Sequence, residues 1–442
     1  MEIKSAQPTL NAAYSIITGL FTFKPEEIRD ELVWEHFVNW RERINGGDYT
    51  STFNYLNNSY YDGYLNNIFP EMRFDEDQIH SIQSKVLNHL TLKRLTKDPG
   101  FLKNLSLEVN DKKSFQFDVE YIDLYLFPQH IGLFTLKIIP VSLEKWEFDD
   151  FTLFLSSIRQ LDSPIRLPGE EQEISVRDLI GSQILDPVKI FESWENFNPQ
   201  LKLFTIADLK GPISEEVLNQ RLFEMGNLLP LGSSTGKSEH APSETYFDRQ
   251  MSENRITVFQ NWSALALYDT FTRISVDLED RFKSWEVEYF NLYLHTIFSK
   301  FFLYLTSSEL SDVTSVNRNT VKIRDRFIEF INDYQHVQIS YKFLPDLVRD
   351  RLIMALGIPS EVESMDRKIQ RINEQFQEKR ERSFNTALVV ITLLSVFSVI
   401  YDLSEWSVRI GIERSKVYPL PSILGGLIIF ILIYMAFKLR RK

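Results

Sequence analysis

Hydrophobic and polar positions change their spacing several times along this chain. Residues 115–127 (FQFDVEYIDLYLF) alternate, with Phe115, Phe117, Val119 and Tyr121 set between polar neighbours, which predicts a β-strand. Pro128, Gln129 and His130 predict a turn, and residues 131–139 (IGLFTLKII) the returning strand of a hairpin. Residues 201–206 predict another strand, and strand-like sequence begins near Leu102. Residues 1 to about 98 read as mostly helical, with loops at 45–48 and 57–63. Residues 231–243 (LGSSTGKSEHAPS) predict a polar loop. From there the pattern turns helical. Residues 255–305 are densely apolar without Pro or Gly and predict one helix of roughly 75 Å. A break at 307–319 leads into a helix over about 320–356, with Pro345 a kink or break and Gly357 and Pro359 its end. Ser360 opens a third helix, with Glu363 placed for a capping box.

That third helix carries an apolar seam, Val362, Met365, Ile369, Ile372 and Phe376, and meets no breaker before Tyr401. Such a seam suits a short coiled coil between copies, or packing on the chain's own long helices. The helix leads into residues 386–401 (TALVVITLLSVFSVIY), and a second apolar run follows at 420–437 (LPSILGGLIIFILIYMAF). Neither contains Lys, Arg, Asp or Glu. Roughly 20 apolar residues span a bilayer as a helix, so the pair predicts a membrane hairpin. The first segment is the more polar. Asn385, Leu388, Thr392, Ser395, Val399 and Asp402 fall within a stripe about 100° wide on a helical projection. Polar groups at membrane depth face protein or water, so these six residues are the candidate pore lining, with ordinary helix packing as the alternative. Gly425 and Gly426 mark a close-packing spot on the second segment.

Charge orients the hairpin. Arg367, Lys368, Arg371, Lys379, Arg380 and Arg382 precede it, and Lys438, Arg440, Arg441 and Lys442 follow it. Basic residues flank the cytoplasmic side, so both ends are expected in the cytoplasm of a multi-pass protein of the inner (plasma) membrane. The loop 402–419 is expected outside, with Asp402 and Glu405 at the outer mouth. The N-terminus does not read as a signal peptide. The chain of 442 residues has a formal charge of −12, yet from Glu361 onward 13 Lys and Arg stand against 9 Asp and Glu. The acidic remainder disfavours direct nucleic-acid binding.

The absence of cysteine excludes disulfides, thiolate metal sites and cysteine nucleophiles. The run GSSTGKS at 232–238 has three residues between its glycines where a phosphate-binding loop needs four. The seven histidines show no metal-ligand spacing, and no hydrolase or dinucleotide motif occurs. No enzyme is expected, and no catalytic residue is assigned.

The expected fold is an α+β cytosolic domain with long helices, a continuous stalk and transmembrane helix, and a C-terminal two-helix membrane hairpin. Its parts are an α/β domain at 1–253, long helices at 254–359, stalk and first membrane helix at 360–401, loop at 402–419, second membrane helix at 420–437 and basic tail at 438–442. This order, the FKLRRK tail and the strand pair FDVEYIDLYLFPQHIGLFTLKIIP resemble the CorA family of cation channels. The resemblance implies a homo-oligomer in the lipid bilayer, a pentamer lined by the first membrane helix. The family's Gly-Met-Asn after that helix is replaced here by YDLSEW, which puts Asp402 and Glu405 in its place. The chain is similar to divergent CorA-like effectors of type III CRISPR systems. That likeness implies a channel-like antiviral effector opened by a nucleotide second messenger, such as SAM-AMP made from S-adenosylmethionine and ATP. The alternatives are a transporter of a divalent cation such as magnesium and a hairpin-anchored interaction protein without a pore.

Overall fold

In the computed structural model, residues 9–24, 28, 30–44, 54–70, 87–109, 113–189, 194–211, 213–229, 242–278, 284–311 and 318–411 are described, with 417, 423, 425–427, 430, 431 and 434 beyond them. They fall into two units. One comprises Met1–Asp312 and Lys322–Ser364, the other Val313–Val321 and Met365–Lys442.

The first unit is built on one twelve-stranded sheet. Its strands are β1 (Thr9–Thr22), β2 (Phe37–Asn39), β3 (Asn88–Leu92), β4 (Leu105–Val109), β5 (Lys113–Leu126), β6 (Ile131–Pro140), β7 (Pro164–Arg166), β8 (Glu173–Ser175), β9 (Lys202–Lys210), β10 (Arg255–Phe259), β11 (Trp262–Ala266) and β12 (Thr270–Val276). The order is β10-β11-β12-β9-β1-β6-β5-β4-β7-β8, with β3 on β5 and β2 on β3. All neighbours are antiparallel except β12 and β9. The hairpin read from the alternation at 115–139 is β5–β6, and the strand read at 201–206 is β9. Alternation holds through Tyr121 of β5, after which every residue to Leu126 is buried because both faces of the sheet are covered.

The helices of eleven or more residues are α1 (Phe148–Ile158), α2 (Glu215–Gly226), α3 (Glu244–Asn254), α4 (Phe290–Ser311), α5 (Arg318–Tyr334), α6 (Phe343–Ala355) and α7 (Ile358–Arg409). α1 and α2 cover one sheet face and share a continuous core with Phe21, Phe134, Leu203, Leu209 and Ile274. α4 covers the other, where Phe204 meets Phe290 and Tyr293 at ring-centroid distances of 5.4 and 5.6 Å.

Four expectations are overturned. The N-terminal region is not mostly helical: β1 is a central strand of 14 residues, buried on both faces from Tyr14 to Phe21, so it lacks the alternation that marks a half-exposed strand. Residues 255–305 are not one helix. β10, β11 and β12 occupy 255–276, and among the described residues after them a π-helical turn, Trp285–Tyr289, leads into the α-helix Phe290–Ser311. The turn between β10 and β11 uses Gln260 and Asn261 rather than glycine, so no turn signal showed. A domain boundary at 253/254 therefore does not exist, because strands from both sides of it share the sheet. Third, the helix read at 320–356 is two, α5 and α6, separated by residues 335–342, and Pro345 lies in the first turn of α6, where its missing N–H has no partner to lose. Fourth, α7 starts at Ile358, and the Ser360 hydroxyl donates to the Gly357 carbonyl at 2.8 Å instead of capping an N–H. The loop at 45–48 and the segment 232–238 lie outside the described residues.

Two buried histidines give the unit a pH dependence. His295 on α4 stacks on Tyr334 of α5, with centroids 6.0 Å apart, and its Nε2 is buried without a hydrogen bond among the described residues. Burial, with His336 and Arg349 nearby, pushes its pKa from 6.5 to about 3. His89 stacks between Trp40 and Tyr125, and burial takes it to about 4 against the opposing pull of Asp123. Both stay neutral when folded, whereas the unfolded chain takes up protons below about pH 6.5. Stability therefore falls as pH drops from 6.5, by about 2 kcal/mol per histidine at pH 5. His295→Phe keeps the ring packing and removes one titration. Its melting temperature should fall less between pH 7 and pH 5 than that of the parent, and parallel curves would refute this.

Candidate functional site

Among the described residues one helix, α7, is long and apolar enough to cross a membrane. Its 52 residues form one unbroken helix, about 78 Å at 1.5 Å per residue, that takes in both the stalk and the first apolar segment. The apolar seam divides. Met365 and Ile369 are 1% and 4% exposed, so that half packs within its own chain, while Phe376 is 42% exposed.

All six residues of the polar stripe lie on α7, and all are exposed. Between 385 and 404 the half-buried or buried positions are Thr386, Val390, Leu393, Phe397, Ile400 and Ser404, at alternating spacings of four and three. On a helical projection the centre of that covered face lies about 150° from the centre of the stripe. Phe397 in its middle meets the second apolar segment, where a Cβ on Gly425 would lie 3.1 Å from its ring. The close-packing glycine thus sits against α7, and the polar stripe looks away from it. The described residues of the second segment, Ile423, Gly425, Gly426, Leu427, Phe430, Ile431 and Tyr434, are helical.

The stripe's hydroxyls are satisfied within the helix. Thr392 donates to the Leu388 carbonyl at 2.8 Å and Ser395 to the Ile391 carbonyl at 2.9 Å. Such back-bonding leaves lone pairs free to accept but removes the demand for a partner. Asp402 and Glu405 do not lie in a loop. α7 continues to Arg409 and ends at Gly411, whose φ of +99° suits the left-handed residue after a helix. The expected loop 402–419 therefore begins no earlier than 410. Asp402 ended the apolar run, but a charge does not break backbone hydrogen bonding, and no Gly or Pro stands before 411. Glu405 pairs with Arg409 at 3.1 Å on the exposed surface.

A cavity of about 230 Å³ lies in the first unit. Lys202 at the start of β9, Tyr268 in the turn between β11 and β12, Phe301 and Tyr304 on α4, and Glu361 in the first turn of α7 line it, with Lys300. Lys202 and Lys300 lie over the Tyr268 ring, 4.3 and 5.5 Å from its centroid. Lys202 pairs with Asp269, which Arg159 also reaches at 3.2 Å, and Lys300 pairs with Glu361. Burial lowers the Lys202 pKa, and the charges of Arg159 and Lys300 add to this, against the opposing Asp269. The second oxygen of Glu361, Oε2, is buried without a hydrogen bond among the described residues. None of these residues carried a sequence signal, since they come from segments up to 202 positions apart with no motif between them.

A charge network lies on the α4 side of the sheet. Arg43 bonds Asp123 at 2.8 Å and approaches Glu286 at 3.5 Å. Lys137 bonds Glu286 at 2.6 Å and Glu120 at 2.7 Å. Glu120 is the extra residue of a β-bulge in β5. The network ties the π-helical stretch Trp285–Tyr289, which runs into α4, to β5 and β6. Among the described residues, no group of three His, Asp or Glu is placed to hold a metal ion.

No protein-family model matches this chain, and a search of curated proteins finds none similar to it.

Proposed function

We propose that the protein is an oligomeric, channel-like membrane effector, opened by a ligand bound to its sheet unit on the cytosolic side of the inner membrane. One observation carries the reading: α7 is a single helix that begins beside the Lys202–Lys300 cavity and ends as the membrane segment, with its polar stripe on the face away from the second segment. An unbroken helix offers a path from its first turn to the apolar segment, because its backbone hydrogen bonds resist local bending. A stripe turned away from the hairpin's own partner is available to other copies around an axis. The CorA resemblance extends this to a pentamer. The likeness to effectors of type III CRISPR systems extends it to antiviral defence, a nucleotide second messenger such as SAM-AMP and ion leakage as the outcome.

A specific observation favours the plain membrane anchor as the second reading, namely that the Thr392 and Ser395 hydroxyls are already bonded inside the helix. Reconstitution in planar bilayers separates the two. Asn385→Leu or Thr392→Leu is expected to change unitary conductance by about twofold or more, because such side chains set the polarity of a pore wall. Leu427→Ile on the second segment should leave it unchanged. A monomer in detergent, or equal effects of all three changes, would sink the channel reading.

A further inference from the structure

We infer that the Lys202–Tyr268–Lys300 cavity binds a mononucleotide-type ligand, a flat aromatic ring carrying an anionic group, and that the anion takes Lys300 from Glu361 at the root of α7. This rests on the proposed gating by a cytosolic ligand and assigns its site. Three cations, Lys202, Lys300 and Arg159, gather around two carboxylates, Asp269 and Glu361, so one positive charge is left over. The charge of Lys300 opposes that of Lys202, and an anion between them relieves both. Tyr304 is 57% exposed, and Tyr268, 53% exposed, carries the two ammoniums over its ring, so aromatic rings and cations line the same mouth and an aromatic, anionic ligand meets both. The cavity's volume is many times the ~10–15 Å³ that one buried water requires, enough for a base or for a phosphate with its sugar, the remainder lying in the open mouth.

Glu361 makes the site a switch. Its one bonded oxygen holds Lys300, and its other is buried without a hydrogen bond among the described residues. An incoming phosphate is a stronger competitor for the ammonium, being more highly charged and richer in acceptors. Once displaced, Glu361 no longer ties the first turn of α7 to α4, while the rest of the helix stays intact.

Calorimetric titration of the detergent-solubilised full chain with AMP, ATP, adenosine and inorganic phosphate tests the inference. AMP or ATP should bind at least tenfold more tightly than adenosine and than phosphate alone. Lys300→Gln and Tyr268→Ala should each weaken that binding at least tenfold, and Lys300→Arg should retain most of it. Glu361→Gln should strengthen it severalfold, which a carboxylate with only a structural role would not do. Absence of nucleotide binding, equal binding of phosphate alone, or binding indifferent to Lys300→Gln and Tyr268→Ala overturns the site. Because the titration needs no membrane current, tight binding that leaves bilayer conductance unchanged would overturn the gating reading and leave the site standing.

Discussion

Replacing Asp123 by alanine lowers the stability of the sheet unit by about 3–5 kcal/mol at pH 7, the cost of leaving a buried charge without its partner. Asp123 is fully buried on β5. Its Oδ2 accepts from Arg43 at 2.8 Å and lies 3.2 Å from His89 Nε2. Burial alone would raise its carboxyl pKa, yet the Arg43 guanidinium and the His89 hydrogen bond outweigh burial and hold it below 3.8. Its contribution is therefore complete above about pH 4 and is lost only as the pH falls below that. Without Asp123 the Arg43 guanidinium, stacked 3.7 Å from the Tyr121 ring centroid, keeps, among the described residues, the longer contact to Glu286 as its ion pair. A thermal melt followed by tryptophan fluorescence should show a fall of roughly 5–15 °C. A fall under about 2 °C would mean that the network is an ornament of the fold. Arg43→Met combined with Asp123→Leu should recover much of the loss, since an apolar pair removes both charges together.

Gly132→Ala is expected to cost about 3 kcal/mol or more, with Gly19→Ala close behind it. The two glycines face two phenylalanines across the β1–β6 pair: Gly19 is opposite Phe134, and Phe21 is opposite Gly132. Each ring lies over the glycine of the other strand, and both rings are fully buried. A Cβ at Gly132 would lie 2.0 Å from the nearest Phe21 ring atom, and one at Gly19 2.1 Å from the nearest Phe134 ring atom, far inside van der Waals contact. Neither ring can retreat, because α1 packs over this face and Trp194 meets Phe134 edge-on at 5.6 Å. Overpacking of this kind costs about 1–3 kcal/mol, and displacing a buried ring approaches the 3–5 kcal/mol of a Phe→Ala change. Chemical denaturation of Gly132→Ala, Phe21→Leu and the double variant gives the coupling. The two costs should be less than additive by at least about 1 kcal/mol, and strict additivity would show that the ring is not what the new methyl meets.

The same strand pair explains why the β5–β6 hairpin was legible and β1 was not. Residues 115–121 keep one face toward water, so their alternation records the sheet directly. β1 has neighbours on both edges and helices on both faces. The run Tyr14–Phe21 is therefore buried throughout, and its pattern does not separate a central strand from a core helix. Residues 255–276 misled for a related reason: tight turns at Gln260–Asn261 and around Tyr268–Asp269 do without glycine or proline. The α7 stripe was legible because a helix projects its residues by simple rotation, which needs no tertiary information. The opposite-facing contact between Phe397 and Gly425 was legible only as two glycines without an address.

The sequence by itself determined the elements whose chemistry repeats locally: the β5–β6 hairpin, the unbroken helix from stalk into the apolar segment, the six-residue polar stripe and the lack of cysteine chemistry. Periodicity and composition act over neighbouring residues, so they survive without a fold. Only the tertiary structure decided which strands share the sheet, that β12 runs parallel to β9, that α7 continues past Asp402 to Arg409, and that Lys202, Tyr268, Lys300 and Glu361 meet around one cavity. Those outcomes depend on contacts between segments far apart in the chain, where burial and charge pairing select one arrangement from many that the local pattern allows.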